Sequence, residues 1–231
     1  MNKLVLICCF TLIAGGCTSV SSLDRPSNYY SYQPQENNGP GLAAQGNLID
    51  QEFEQLINHH LQLPPLSRVA ILKMSTDSYW RYYSNDFTLL NDQIAANFVG
   101  TLRDSNRVYD ASFLPTMLIP EQRTVNFLRE AAARFQADLL LVYRSACHSF
   151  EKYRLIRASE SQAYCAVEAV LLDVRTGIVP FTSVASQQFH TKEGDNDINF
   201  QETIKRAELE ALAQALQEVA KNVVNFLDGS V

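Results

Sequence analysis

The sequence predicts an α/β (α+β) fold: a mixed five-stranded sheet, βαβαβ followed by a β-meander, with helices packed on it. Three observations carry this. Val69-Ala70-Ile71-Leu72 and Leu139-Leu140-Leu141-Val142 are short continuous apolar runs, the pattern of strands buried on both faces as parallel sheets require. Stretches with apolar residues every three or four positions alternate with them, which makes successive β-α-β units with right-handed crossovers. After Tyr143 the pattern changes to long strand-like runs joined by short polar stretches, which reads as a meander.

Taken in order, Asn47 or Asp50 is placed to cap a first helix running to about Leu61, with Phe53, Leu56, Ile57 and Leu61 on its inner side. Pro64-Pro65 stops it, and Val69 to Leu72 forms the first strand. The loop from Ser75 to Asp86 follows, and Asn85 or Asp86 caps a helix in which Leu90, Ile94, Phe98 and Leu102 repeat every four residues. Asp104-Ser105-Asn106 ends that helix, and Val108 to Ala111 enters a shorter strand. Pro120 marks the start of the next helix, with Glu121 in its first turn and Val125, Leu128, Ala132 and Phe135 as its inner stripe.

Ala137 to Tyr143 is the expected central strand, and Ala163 to Val174 a long strand after it. Arg175-Thr176-Gly177 supplies a tight turn with glycine where a positive φ is needed. Ile178 to Phe189 returns, and Pro180 puts it at an edge or at a strand start. A final helix spans Phe200 to Leu227. Its Leu209, Leu212, Leu216, Val219, Val223 and Phe226 make a seam that suits packing across a sheet better than a short coiled coil.

The chain has 231 residues, a formal charge of −6 and 46% hydrophobic residues. An acidic chain without a Lys/Arg cluster is a poor match for a phosphate backbone, so nucleic acid is not an expected partner. Met1-Asn2-Lys3 followed by the apolar run Leu4 to Ala14 is too short for a bilayer-spanning helix of ~20 residues. It has the layout of an export signal: charged start, apolar middle, small residues at the cut site. Gly15-Gly16-Cys17 closes it and resembles the lipobox of bacterial lipoproteins, with Ala14 where Leu is usual. The resemblance implies a signal peptide over 1–16 and lipidation, palmitate included, at Cys17; the competing reading is an ordinary secretory signal cut nearby, with Cys17 unmodified. Residues 17–46 are Ser-, Pro-, Asn-, Gln- and Gly-rich and read as a flexible linker with a root-mean-square span of ~30 Å. Residues 47–231 form the single expected domain. By the sorting pattern of such lipoproteins, Thr18 in place of Asp favours the outer membrane, with the domain facing the periplasm.

Cys8 and Cys9 leave with the signal. Cys147 and Cys165 then remain in an oxidising compartment, on two strand-like runs whose midpoint falls in the polar stretch Glu151 to Ser161. A hairpin there sets them opposite each other, which favours a disulfide over two separate buried thiols.

Three stretches carry a wider resemblance: Arg68-Val69-Ala70-Ile71-Leu72, the helix-to-strand join Ala132-Ala133-Arg134-Phe135-Gln136-Ala137-Asp138-Leu139-Leu140-Leu141-Val142, and the hairpin Val170-Leu171-Leu172-Asp173-Val174-Arg175-Thr176-Gly177. Over about Arg68 to Phe226 the chain resembles the periplasmic α/β domain shared by CsgG, the amino-terminal domain of TolB, and LpoB. The resemblance implies fold more than activity. CsgG builds its pore from membrane hairpins, whereas His148 to Gln162 is short, charged and without the alternating apolar pattern of a membrane strand.

No motif for an enzyme is present: no Gly-x-Ser-x-Gly elbow, phosphate loop or His-Glu-x-x-His. Adjacent His59 and His60 point ~100° apart on a helix and cannot share a metal, and Cys147 and His148 face opposite sides of a strand. No metal and no cofactor are expected. The best candidate contact residues are Tyr79, Trp80, Arg81, Tyr82 and Tyr83, aromatics and an arginine placed after the first strand where open α/β sheets bind partners. The competing reading makes them a lid on the core with only their polar tips in water. Arg144, Lys152, Arg154 and Arg157 form a modestly basic stretch that reads as an exposed face. The sequence expectation is a non-enzymatic accessory or assembly factor acting on an envelope protein, with self-association open. A module for a small envelope ligand, glycan or peptide, is the alternative.

Overall fold

The computed structural model describes residues 54, 57–59, 62–74, 85–120, 123–152, 159–194 and 199–229. Strand β1 (Ser67–Lys73) leads into helix α1 (Asn85–Arg103), strand β2 (Val108–Phe113), a short 3-10 turn at Thr116–Leu118 and helix α2 (Val125–Arg134). Strands β3 (Leu139–Lys152), β4 (Glu160–Asp173) and β5 (Phe181–Lys192) follow, and helix α3 (Phe200–Gly229) closes the order. The sheet runs β2-β1-β3-β4-β5. β1 pairs in parallel with β2 and with β3, while β3, β4 and β5 form an antiparallel meander. This is the expected mixed five-stranded sheet.

Helices α1 and α3 cover one face. Ile94, Phe98 and Leu102 from α1 and Leu209, Leu212, Leu216, Val219 and Val223 from α3 are buried against Val69, Ile71, Leu139, Leu141, Val167 and Leu171. The leucine seam of α3 therefore packs across the sheet, and Phe226 stacks on Phe181 with ring centroids 4.7 Å apart. Helix α2 covers the other face with Leu128 and Ala132 over Ala70, Leu72, Leu140, Val142 and Leu172. The alternate residues of β1 and β3 thus bury in two separate cores, which is why those strands read as unbroken apolar runs.

Helix α2 begins at Val125, with Thr124 at its N-cap, and not at Pro120. Pro120 follows the 3-10 turn and an extended Ile119, so the fixed φ of proline serves the approach to the helix instead of its first turn. The helix ends in a Schellman arrangement: Gln136 N–H donates to Ala133 O and Ala137 N–H to Ala132 O. Gln136 takes φ 57° there, a left-handed position that glycine usually fills. Strand β4 starts at Glu160, three residues before the expected Ala163, because the hairpin pairing extends outward to Lys152↔Glu160. The first helix expected over 50–61 lies largely outside the described residues. Ile57, placed on its inner side, is 66% exposed.

The three stretches singled out in the sequence meet at one end of the sheet. Arg68 N–H donates to Asp138 Oδ2 at 3.0 Å, and Asp138 Oδ1 accepts from Arg175 at 2.8 Å. Arg68 also donates to Asp110 Oδ2 (3.0 Å) and Phe135 O (2.7 Å), with its guanidinium 4.3 Å from the Phe135 ring centroid. Arg103 completes the pair on Asp110 at 2.8 Å. Burial alone would raise the Asp110 pKa, but the hydrogen bonds and charges of Arg68 and Arg103 outweigh it and hold the carboxyl below its usual value. In the β4–β5 turn Asp173 accepts from the Arg175 and Thr176 backbones and the Thr176 hydroxyl. Gly177, at φ 79°, lies where a Cβ would come within 3.1 Å of Arg129. This end is a structural clamp.

Candidate functional site

Residues Tyr79, Trp80, Arg81, Tyr82 and Tyr83, like Cys17, Arg154 and Arg157, lie outside the described residues. The candidate site that the described residues build is elsewhere, on the outer half of the sheet.

From Arg144 onward β3 runs past the ends of β1 and β2 and, among the described residues, keeps only β4 as a neighbour. Hydrogen-bond parity fixes which residues face where. Val174 N–H donates to Asp138 O, so the even residues of β4 bond towards β3; Glu193 N–H donates to Ser159 O, so the odd ones bond towards β5. Cys147↔Cys165 is therefore a non-hydrogen-bonded pair, the kind in which side chains approach most closely. A disulfide joins them with a Cα–Cα distance of 4.1 Å. It sits on the helix-covered face, the Cys165 sulfur 3.2 Å from Glu208 O of α3.

The opposite face of this outer half carries no helix among the described residues. Its side chains form a grid of cross-strand rows: Arg144–Glu168–Val184, Ala146–Ala166–Ser186, His148–Tyr164–Gln188 and Phe150–Gln162–His190. The first row holds an ion pair, Arg144 to Glu168 at 2.5 Å. In the last two rows Phe150 meets Tyr164 edge-on at 5.6 Å, and Gln162 donates to the Tyr164 hydroxyl at 2.8 Å and to Gln188 at 3.3 Å. Between these ridges the small side chains of Ala146, Ala166 and Ser186 leave a shallow trough that crosses the strands. Tyr164 is 43% and Val184 52% exposed beside it. Of the expected basic stretch, Arg144 is paired with Glu168 and Lys152 is exposed at the hairpin end, while Arg154 and Arg157 lie outside the described residues.

This face suits contact with a macromolecule. It offers an aromatic pair, an arginine and two glutamine amides around an apolar floor, the mixture found in protein interfaces. His148 and His190 are separated by β4, at ~10 Å, and do not act on one group. Among the described residues no three His, Cys, Asp or Glu side chains converge as a metal site. On the other face Tyr143 is buried edge-on to Phe98, and that burial raises its phenol pKa well above the usual value. An open groove of about 520 Å³ between α1 and α3 is lined by Ile94, Asn97, Phe98, Thr101, Ala213 and Gln217. A Gln217–Thr101 hydrogen bond of 2.6 Å crosses it. No helix of the described residues is long and apolar enough to cross a membrane.

The fold and this face define a class: a mixed-sheet α+β domain in which one face of the sheet's outer half carries no helix among the described residues. No family model matches the chain, and no curated protein does. Among solved structures it is similar to a hypothetical protein from Chlamydia trachomatis (7% identity, 71% of this chain and 99% of that one, TM-score 0.42). It is similar to the PelC dodecamer from Paraburkholderia phytofirmans (16% identity, 69% and 90%, TM-score 0.33). It is also similar to a minor lipoprotein from Acinetobacter baumannii (8% identity, 70% and 92%, TM-score 0.34). Lipoproteins recur among these similar structures. At such identities and TM-scores the likeness says nothing of what this chain binds.

Proposed function

We propose that this protein is a lipid-anchored envelope protein that acts without catalysis, by holding another envelope protein against the bare face of its sheet. In this reading residues 1–16 are the signal, Cys17 carries the lipid, 17–46 is the linker, and 47–231 is one periplasmic domain below the outer membrane. The observation that carries the contact surface is the grid around Ala146 and Ser186, which no helix of the described residues covers, with Tyr164 and Val184 exposed beside it. The Cys147–Cys165 bridge supports the exported address, since disulfides persist in oxidising compartments. The resemblance to the CsgG, TolB and LpoB domain belongs to the same proposal, and Tyr79 to Tyr83 remain a second candidate contact. A small glycan or peptide ligand is the weaker alternative. Such ligands favour enclosed pockets, and the trough is shallow and open.

Photo-crosslinking in cells tests the reading. A photoreactive residue at the exposed Ala146 or His148 is expected to capture a discrete different protein, while one at the exposed Gln214 on α3 is not. Capture is expected to be lost in Cys17→Ala. Equal capture from both faces, or none from Ala146 and His148, overturns the assignment of this face.

A further inference from the structure

The two edges of the sheet are guarded very differently. The β2 edge is six residues long, slips register between Ser67 and Arg68 of its partner, and carries Asp110 in the arginine clamp. Short length, a bulge and charge are the devices that keep an edge from pairing with another chain. β5 has none of them over most of its course. It is twelve residues long and pairs with β4 without a register shift. It holds no charged residue from Phe181 to Phe189. The parity set by Glu193 N–H to Ser159 O sends the odd residues of β5 to β4. The N–H and C=O groups of Thr182, Val184, Ser186, Gln188 and His190 therefore point out of the sheet.

We propose that β5 is a self-pairing edge: two copies of the chain join β5 to β5, antiparallel, about a two-fold axis through Ser186. A second copy fits for three reasons. An axis perpendicular to the sheet keeps the helix-covered faces on one side and demands that paired residues share parity, which a centre on Ser186 satisfies. That register sets Val184 against Gln188 and Thr182 against His190, while Lys192 falls opposite Pro180, so no like charges oppose. For a chain of net charge −6, this uncharged edge is a surface where two copies meet without repulsion. Finally, the trough of Ala146, Ala166 and Ser186 crosses the strands and so continues over the axis into the same trough of the second copy. The odd side chains do not obstruct the approach, because α3 holds them. Ser183 accepts from Asn222 at 3.1 Å, Gln187 donates to Glu218 at 2.6 Å, and Phe181 stacks on Phe226. The pairing makes about ten backbone hydrogen bonds. It stands independently of the partner assigned to the bare face.

The test is the mass of the full-length chain in detergent, by light scattering, with charge swaps on the axis. Wild type is expected to be a dimer at about 100 µM. Ser186→Lys and Ser186→Glu each place like charges opposite one another and are expected to be monomers with unchanged circular dichroism. Their equimolar mixture is expected to return to a dimer. Hydrogen exchange of the wild type gives a reading that needs no variant: the amides of Thr182, Val184, Ser186, Gln188 and His190 exchange as slowly as those of their odd neighbours. A monomeric wild type, a dimer that both charge variants leave intact, or fast exchange at the even amides overturns the proposal.

Discussion

One sheet carries two different solutions to burial. In its inner half, β1 and the first residues of β3 run parallel and are packed on both faces, so Leu139, Leu140, Leu141 and Val142 bury consecutively in two cores; β2, at the edge, buries only Val108 and Ala111 in one of them. In its outer half the same β3 strand continues as part of an antiparallel meander. Helix α3 covers one face there, and burial falls to alternate residues. Parallel strands need crossover helices, and those helices cover both faces; a meander needs only tight turns and leaves one face free. The contrast places stability in the inner half and an available surface in the outer half. The disulfide marks the border, joining β3 and β4 where β1 no longer supports them.

The largest expected effect comes from testing that division directly. Leu140→Ala removes a fully buried side chain under α2 and is expected to cost ~2–5 kcal/mol in denaturant unfolding. Val184→Ala, on the bare face, is expected to stay within ~0.5 kcal/mol. Equal costs at the two positions would mean that the two halves are equally packed. Second in size is the bridge. A Cys147→Ala/Cys165→Ala double variant is expected to lose about 3 kcal/mol, because the bond closes a loop with a sequence separation of 18. If the loss is confined to the outer half, hydrogen exchange is expected to rise first in the outer ends of β3 and β4 and leave β1 protected.

The inner half was legible because burial on both faces leaves an uninterrupted apolar signature. Val69 to Leu72 and Leu139 to Val142 can be read without knowing their neighbours. The bridge was legible too, since the symmetry of Cys147 and Cys165 about a polar turn sets their register. The start of α2 was not: the preference of proline for a first helical turn pointed to Pro120, while the 3-10 turn before it set the chain's path. The bare face could not be read either. Phe150 and Tyr164, or Ala146 and Ser186, become neighbours only once three strands are in register, and nothing local in the sequence shows that α2 stops short of them. The edge at β5 lies between: Pro180 pointed to it, but which amides face outward follows only from the pairing.

Arg144 and Glu168 lie 2.5 Å apart on the bare face, with about a third of each side chain exposed. In a face open to water, screening and side-chain entropy leave such a pair only ~0.2–1 kcal/mol of coupling. A double-mutant cycle with Arg144→Ala and Glu168→Ala is expected to return a value in that range. It should shrink towards zero as salt approaches 1 M, where the screening length is ~3 Å. The same pair beneath a packed segment would couple more strongly and resist salt, because the surrounding dielectric would be low. A coupling above ~2 kcal/mol that salt does not reduce would mean that the outer face is covered in solution. The two halves of the sheet would then be alike in burial, and the surface offered here for a partner would already be taken.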